Sequence, residues 1–133
     1  YDRPPQHAKP RKPNWSRKAV DGASGVVLHT PIMFRADASD NPNKALGILA
    51  GCANDSLFTE GTWNCDFCKE MVPKEADLVV RGKKGLDAFP GTDLEALVRA
   101  NNIETVCLAG FLTNCCVEST MRTAYEKGEV GME

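Results

Sequence analysis

Residues 106–125, VCLAGFLTNCCVESTMRTAY, decide the fold of this chain. The stretch begins with an apolar run that stops at Gly110, a pattern typical of a short strand buried on both faces. Further along, Val117, Met121 and Ala124 recur at the spacing of one helix face. We therefore predict a strand, a tight turn and a helix, with two adjacent cysteines where the helix begins.

The predicted turn is also a candidate reactive site. We expect Thr113 or Asn114 to cap the helix and Gly128 to follow its end. A thiol at a helix N-terminus lies beside unpaired backbone N–H groups and the positive end of the helix dipole. Both favour the thiolate, which is the nucleophilic form of cysteine. The same amides can stabilise the oxyanion of a tetrahedral intermediate, so the turn suits acyl transfer.

The rest of the sequence alternates between strand and helix patterns. Three apolar runs predict strands, at residues 26–28, 78–80 and 103–109. Helical patterns lie at residues 16–23, at residues 44–53, and from a capping box at 92–95 to Asn101-Asn102. This alternation indicates parallel βαβ units and an α/β fold. Three side chains that follow strands, His29, Lys83 and Cys116, then converge at one edge of the sheet.

Composition and charge limit the possible functions. The 133 residues are 42% hydrophobic, which is enough for one domain with a modest core. A net charge of −2 predicts no strong attraction to nucleic acid. No apolar run reaches the roughly 18 residues of a membrane-spanning helix, and none near the N-terminus resembles a signal peptide. The adjacent cysteines at 115 and 116 and the strand position of Cys107 argue against three disulfides, so we expect a cytoplasmic protein.

The N-terminal part differs from the rest. Residues 1–15, YDRPPQHAKPRKPNW, contain four prolines and no periodicity, which predicts a disordered or extended leader. Residues 1–18 carry six Lys or Arg and one acidic residue, whereas the other 115 residues carry ten and seventeen. We therefore divide the chain into a basic, solvated leader at 1–15 and one domain at 16–133.

The sequence GFLTNCCVEST at residues 110–120, followed by Ala124 and Gly128, resembles the signature of the isochorismatase-like cysteine hydrolases. The resemblance implies that the nucleophile is the cysteine directly before the valine, which is Cys116 and not Cys115. It implies an α/β fold in which helices cover both faces of a parallel sheet, a three-layer α/β/α sandwich.

The resemblance also implies how the turn is built. A cis peptide bond would join Phe111 to Leu112. The backbone N–H groups of Leu112 and Cys116 would bind the oxyanion.

A second block supports the same family. The sequence KKGLDAFPGTDL at residues 83–94 resembles the family's lysine loop, in which a lysine lies six residues before a phenylalanine and Gly-Thr-x-Leu follows. In that register the catalytic lysine is Lys83 and not Lys84, and the phenylalanine is Phe89. The sequence GVVLHTP at 25–31 resembles the family's second strand, so the likeness covers residues 19 to 130, to within a few positions.

The sequence departs from the family pattern near both ends. In the family an aspartate base lies in an Asp-x-Gln motif that ends the first, central strand, and this sequence has no such motif. Asp87 lies at a loop position where the family often has serine, so it is not a match for that base. After Lys127-Gly128 the family continues with a strand and a helix, whereas here GEVGME follows. We therefore expect a truncated, incomplete domain.

Several other side chains are weaker candidates. His29 is a candidate pocket residue, although a structural role is more frequent for a histidine at a strand end. Phe89 and Trp63 are candidate pocket walls, although packing is the usual role of such residues. Cys65 and Cys68 form a C-x-x-C motif, which is half of a zinc site or a redox pair and lacks a matching second pair. We predict no bound metal and no cofactor.

The leading hypothesis is a hydrolase in which Cys116 attacks a small molecule, at an amide or imide C–N bond. Cleavage of an isochorismate-type vinyl ether is the other reaction that the resemblance implies. The alternative is a catalytically impaired member that acts by binding, as an oligomerisation partner. We expect a small-molecule substrate and a homo-oligomer, with no nucleic-acid or membrane partner.

Overall fold

The computed structural model describes residues 25–128, so the leader at 1–15 and the predicted helix at 16–23 lie outside the described residues. Strand β1, Leu28–His29, pairs in parallel with strand β2, Leu78–Val79. The N–H of Val80 also donates to the carbonyl of His29 at 2.8 Å, which extends the ladder by one residue. The strand predicted at 78–80 is thus confirmed as a short, parallel strand, whereas the one predicted at 26–28 lies later, at Leu28–His29, and includes the histidine that was predicted to follow it.

Three α-helices follow in the described part of the chain: α1, Gly47–Asn54; α2, Leu94–Ala100; and α3, Glu118–Glu126. Two 3₁₀ turns, Trp63–Cys65 and Lys69–Met71, lie between α1 and β2, and a π-helical turn, Thr113–Val117, leads into α3. The helix predicted from residue 44 starts later, because Leu46 is still extended with a φ of −141°. Helix α2 ends at Asn101, as predicted.

The capping box predicted at 92–95 does not form. The N–H of Thr92 donates to the carbonyl of Phe89, and the Thr92 hydroxyl accepts from the N–H of Leu94. Glu95 does not reach back to the Thr92 amide; its carboxylate accepts from Arg99 and from Lys127, which directly follows the end of α3. A tertiary ion pair therefore replaces the local reciprocal bond that the sequence suggested.

The prediction of a third strand at 103–109 is wrong. Within residues 25–128 this segment pairs with no other strand. Ile103 and Val106 are half-buried and pack against the core, but Cys107 is exposed and Leu108 is 37% exposed. The apolar pattern predicted burial on both faces, whereas a strand forms only where a second strand accepts its backbone hydrogen bonds.

The main core joins β2, the loop after it, α2 and α3. Its buried members are Val80, Ala88, Phe89, Leu94, Val98 and Ala124. Burial of a Val or Leu side chain contributes about 1.5–3 kcal/mol, so this cluster fixes α3 against the loop. A smaller cluster of Phe34, Leu49 and Cys52 packs α1. Among the described residues, no helix has the length and apolar character needed to cross a lipid bilayer.

Candidate active site

The turn before α3 places Cys116 at the start of a helix. Leu112 is extended, with φ −95° and ψ 144°, and its carbonyl accepts from the N–H groups of both Cys115 and Val117, at 3.1 and 3.3 Å. This widened turn takes the place of a side-chain cap, so the predicted cap by Thr113 or Asn114 is wrong. Widened turns of this kind are frequent at functional sites.

The peptide bond between Phe111 and Leu112 is cis, the geometry that the family resemblance implies. The side chain of Phe111 is 72% exposed and that of Leu112 is 45% exposed, so neither is fixed by the core. Leu112 and Cys116, the residues whose N–H groups would bind an oxyanion, lie at the two ends of the turn.

Lys83 lies next to the sulfur of Cys116. Its Nζ is 3.8 Å from Cys116 Sγ and donates to the carbonyl of Gly85 at 2.7 Å. The residue is only 4% exposed. Burial lowers the pKa of Lys83, while the sulfur of Cys116 and the carboxylate of Asp87 act in the opposite direction. The arrangement thus pairs a buried amine with a thiol at a helix start.

The adjacent lysine points elsewhere. Nζ of Lys84 lies 2.7 Å from Asp40 Oδ2 and donates to the carbonyl of Met33 at 2.6 Å. Burial by itself raises the pKa of Asp40, but the hydrogen bond from Lys84 and the backbone N–H of Arg35 lower it below its ordinary value. Of the two neighbouring lysines, the structure therefore brings only Lys83 to the cysteine.

The lysine loop, residues 82–91, is closed at its neck. The N–H of Arg81 donates to Asp93 Oδ1 at 2.7 Å, beside the point where the two ends of the loop meet. Gly82 has a φ of +91°, and a Cβ at this position would lie 2.5 Å from the carbonyl oxygen of Gly91. Only glycine allows the two ends of the loop to come this close.

Two hydroxyl groups of α3 hold this loop, and the sequence analysis missed both. Thr120, which is buried, donates to the carbonyl of Cys116 at 2.7 Å and accepts from the N–H of Ala88 at 3.0 Å. Thr123 donates to Asp87 Oδ2 at 2.6 Å. The threonines follow Cys116 at the i+4 and i+7 positions of one helix face, but the loop that they contact is about 30 residues away in sequence, so no local signal marks the contact.

The three weaker candidates lie in other surroundings. The ring of His29 is buried, with Nε2 3.0 Å from Asp77 Oδ2 and an edge contact to Phe67 at 5.2 Å between centroids. Phe89 is a member of the main core. Trp63 lines a cavity of about 440 Å³, and neither catalytic candidate is among the residues that line this cavity.

All six cysteines are free thiols in the structure. Burial raises the pKa of Cys65, and the carboxylates of Asp66 and Glu60 add to the effect. Burial also raises the pKa of Cys52, and Cys116 adds to that rise. Within residues 25–128, no three His, Cys, Asp or Glu side chains cluster closely enough to hold a metal ion.

Several known proteins resemble this chain. Residues 14–129 match the family model described as isochorismatase domain. A ureidoacrylate amidohydrolase (RutB) of Methylorubrum extorquens is 34% identical over 79 residues, which are 59% of this chain and 32% of that protein. The same enzyme of Acinetobacter baylyi is 35% identical over 69 residues, 52% of this chain and 28% of that protein. The matched part thus spans about a third of the length of these curated relatives.

Solved structures give the same fold. An isochorismatase-like hydrolase from Alkaliphilus metalliredigens superposes with a TM-score of 0.70 at 27% identity, over 89% of this chain and 60% of the other. An isochorismatase family protein from Desulfovibrio vulgaris superposes with a TM-score of 0.77 at 21% identity, over the same shares. These likenesses confirm the predicted α/β class, and the family model covers most of the residues. The chain belongs to the isochorismatase family.

Proposed function

We propose that this chain carries the catalytic turn of a cysteine hydrolase that cleaves a C–N bond in a small amide or ureido compound. The observation that supports the proposal is the 3.8 Å distance between Lys83 Nζ and Cys116 Sγ at the start of a helix. A cation beside a thiol at a helix N-terminus favours the thiolate.

The reaction follows from these groups. The thiolate of Cys116 forms a bond to the carbonyl carbon, and the N–H groups of Leu112 and Cys116 stabilise the oxyanion. The C–N bond then breaks, and the leaving nitrogen takes a proton from the Lys83 ammonium. Water next attacks the acyl intermediate, which is a thioester from an amide or a thiocarbamate from a ureido compound, gives one proton back to Lys83 and releases the thiolate with the carboxylic or carbamic acid. The net reaction adds one water to one amide, and Lys83 is suited to both transfers because burial lowers its pKa.

The choice of a C–N bond over a vinyl ether rests on two observations. The relatives at 34 and 35% identity are named ureidoacrylate amidohydrolases. A thiolate needs an electrophilic carbon, which an amide or ureido carbonyl supplies and a vinyl ether does not.

The adjacent cysteines provide a matched experiment. Ureidoacrylate is incubated with the unaltered chain, with Cys116→Ser and with Cys115→Ser, and ammonia release is measured together with the mass of any acyl adduct. We expect Cys116→Ser to lose about 100-fold or more in rate and to form no thioester, because the nucleophile is removed. Cys115→Ser should retain turnover and carry the adduct on Cys116. Equal losses in both variants, or an unaltered chain with neither turnover nor an adduct, would contradict the proposal.

A further inference from the structure

Asp87 connects the lysine loop to α3. One carboxylate oxygen accepts the N–H of Phe89 at 2.9 Å, which closes a turn within the loop, and the other accepts the hydroxyl of Thr123 at 2.6 Å. The second bond joins residues that are 36 positions apart, so it reports tertiary packing and not local turn geometry. It lies about two helical turns after Cys116.

Asp87 also supplies the charge that the buried lysine needs. Burial disfavours the ammonium form of Lys83, and two groups oppose that effect: the sulfur of Cys116 and the carboxylate of Asp87. The sulfur is the group that would react, so its charge is consumed during catalysis. The carboxylate does not react, and its two oxygens accept hydrogen bonds from Phe89 and Thr123.

We propose that Asp87 is a positioning residue for Lys83. Bound to Thr123 on α3, its carboxylate holds the lysine loop against the helix that follows Cys116 and favours the ammonium form of Lys83. The inference rests on the proposed function, since it assigns Asp87 to the same Lys83–Cys116 pair.

The experiment measures alkylation of Cys116 by iodoacetamide as a function of pH, by mass spectrometry of the labelled peptide. The variants are Asp87→Asn, Thr123→Val and Thr123→Ser. The control is Asp37→Asn, because Asp37 closes the same kind of turn, to the N–H of Ser39 at 3.0 Å, in another loop. The charge of Cys116 also raises the pKa of a second thiol, that of Cys52. Each variant is therefore also made with Cys52→Ser.

We expect Asp87→Asn to slow the alkylation of Cys116 at pH 7 by up to about tenfold, the effect of one pKa unit at Lys83, and to move the midpoint of the profile to higher pH. Thr123→Val should do the same to a lesser degree, Thr123→Ser should restore the unaltered profile, and Asp37→Asn should leave it unchanged. A loss of packing alone would lower the melting temperature without moving the midpoint. Alkylation of folded Asp87→Asn at the unaltered rate, or faster, would overturn the inference, as would Thr123→Val and Thr123→Ser behaving alike.

The alkylation measurements need no substrate. They therefore distinguish a failure of the proposed function from a failure of the role assigned to Asp87. If the unaltered chain hydrolyses no amide and yet Asp87→Asn shifts the profile, the proposed function fails and the role of Asp87 stands. If the unaltered chain hydrolyses an amide through Cys116 and Asp87→Asn has the unaltered profile, only the role of Asp87 fails.

Discussion

Two segments build the surroundings of Cys116: the lysine loop, which supplies Lys83, and the segment that precedes the cysteine turn. They differ in how they are packed. The lysine loop at 82–91 is closed at its neck, and its residues Lys83 and Ala88 are 4 and 1% exposed. The segment at 103–112 has no paired strand among the described residues, and Leu108 and Phe111 are 37 and 72% exposed. In the sequence, however, 103–112 is the more apolar of the two. Hydrogen-bonded partners, and not apolar content alone, therefore decide which of the two segments is buried.

A pair of leucines tests this contrast with the largest expected effect. Leu94 is 6% exposed in the core that holds the lysine loop, whereas Leu108 is 37% exposed on the other segment. We expect Leu94→Ala to lower the free energy of unfolding by about 3 kcal/mol and Leu108→Ala by less than about 1 kcal/mol, because a cavity forms only in the first. Urea unfolding of the two variants measures both values.

The same pair can break the comparison. Equal losses would mean that Leu108 is packed as well as Leu94, and that the segment at 103–112 is held as firmly as the loop.

The two adjacent lysines sharpen the comparison, with a smaller effect. Lys83→Met should slow the alkylation of Cys116 at pH 7 by about tenfold, because the cation beside the sulfur is lost. Lys84→Met should leave the rate unchanged, because Lys84 pairs with Asp40. Iodoacetamide labelling at Cys116 measures both rates, and equal effects of the two substitutions would contradict the geometry.

Lys83→Met also carries a prediction about stability. The pKa of Lys83 in the folded chain lies below the value of 10.5 expected when it is unfolded, because burial disfavours the charge. The unfolded chain therefore binds the proton more tightly, and protonated Lys83 costs stability below its folded pKa. We expect Lys83→Met to be at least as stable as the unaltered chain at pH 7, with the difference shrinking as the pH rises toward 10.5. A clear fall in melting temperature at pH 7 would show that the hydrogen bond to Gly85 outweighs the cost of burial.

The smallest effect is expected at the ion pair between α2 and α3, on the well-packed side of the molecule. Glu95 accepts from Lys127 at 2.6 Å, and this hydrogen bond lowers the pKa of Glu95 below 4.5. Its contribution is therefore present above pH 4.5 and is lost as the pH falls through the folded pKa. Glu95→Gln should lower the melting temperature slightly at pH 7, and not at all at pH 3 or in high salt, since exposed pairs contribute little and are screened. A loss that persists in high salt would point to packing and not charge.

The family resemblance, and not the local spacing alone, selected Lys83 over Lys84 and Cys116 over Cys115. The structure places the Nζ of Lys83 3.8 Å from the sulfur of Cys116, and the roles of both residues stay predictions. The strand at 103–109 and the capping box at 92–95 were wrong, because a strand needs a partner and Glu95 found a stronger one in Lys127.

The bridge from Thr123 to Asp87 was out of reach for another reason. It joins two polar residues that only tertiary packing brings together. The spacing of apolar residues predicts helices and strands, but it does not predict which polar side chains meet. Such contacts become visible only when two elements that are distant in sequence are brought together.

The close approach of Gly82 to Gly91 joins the two ends of the lysine loop. The carbonyl that receives Lys83 Nζ belongs to the backbone of Gly85, so no side chain at the tip is required for that bond. The tip is held separately, since Lys84 pairs with Asp40 and Leu86 packs against the smaller core. A side chain at position 82 would therefore push the two ends of the loop apart and displace the amine of Lys83 without touching the cysteine itself.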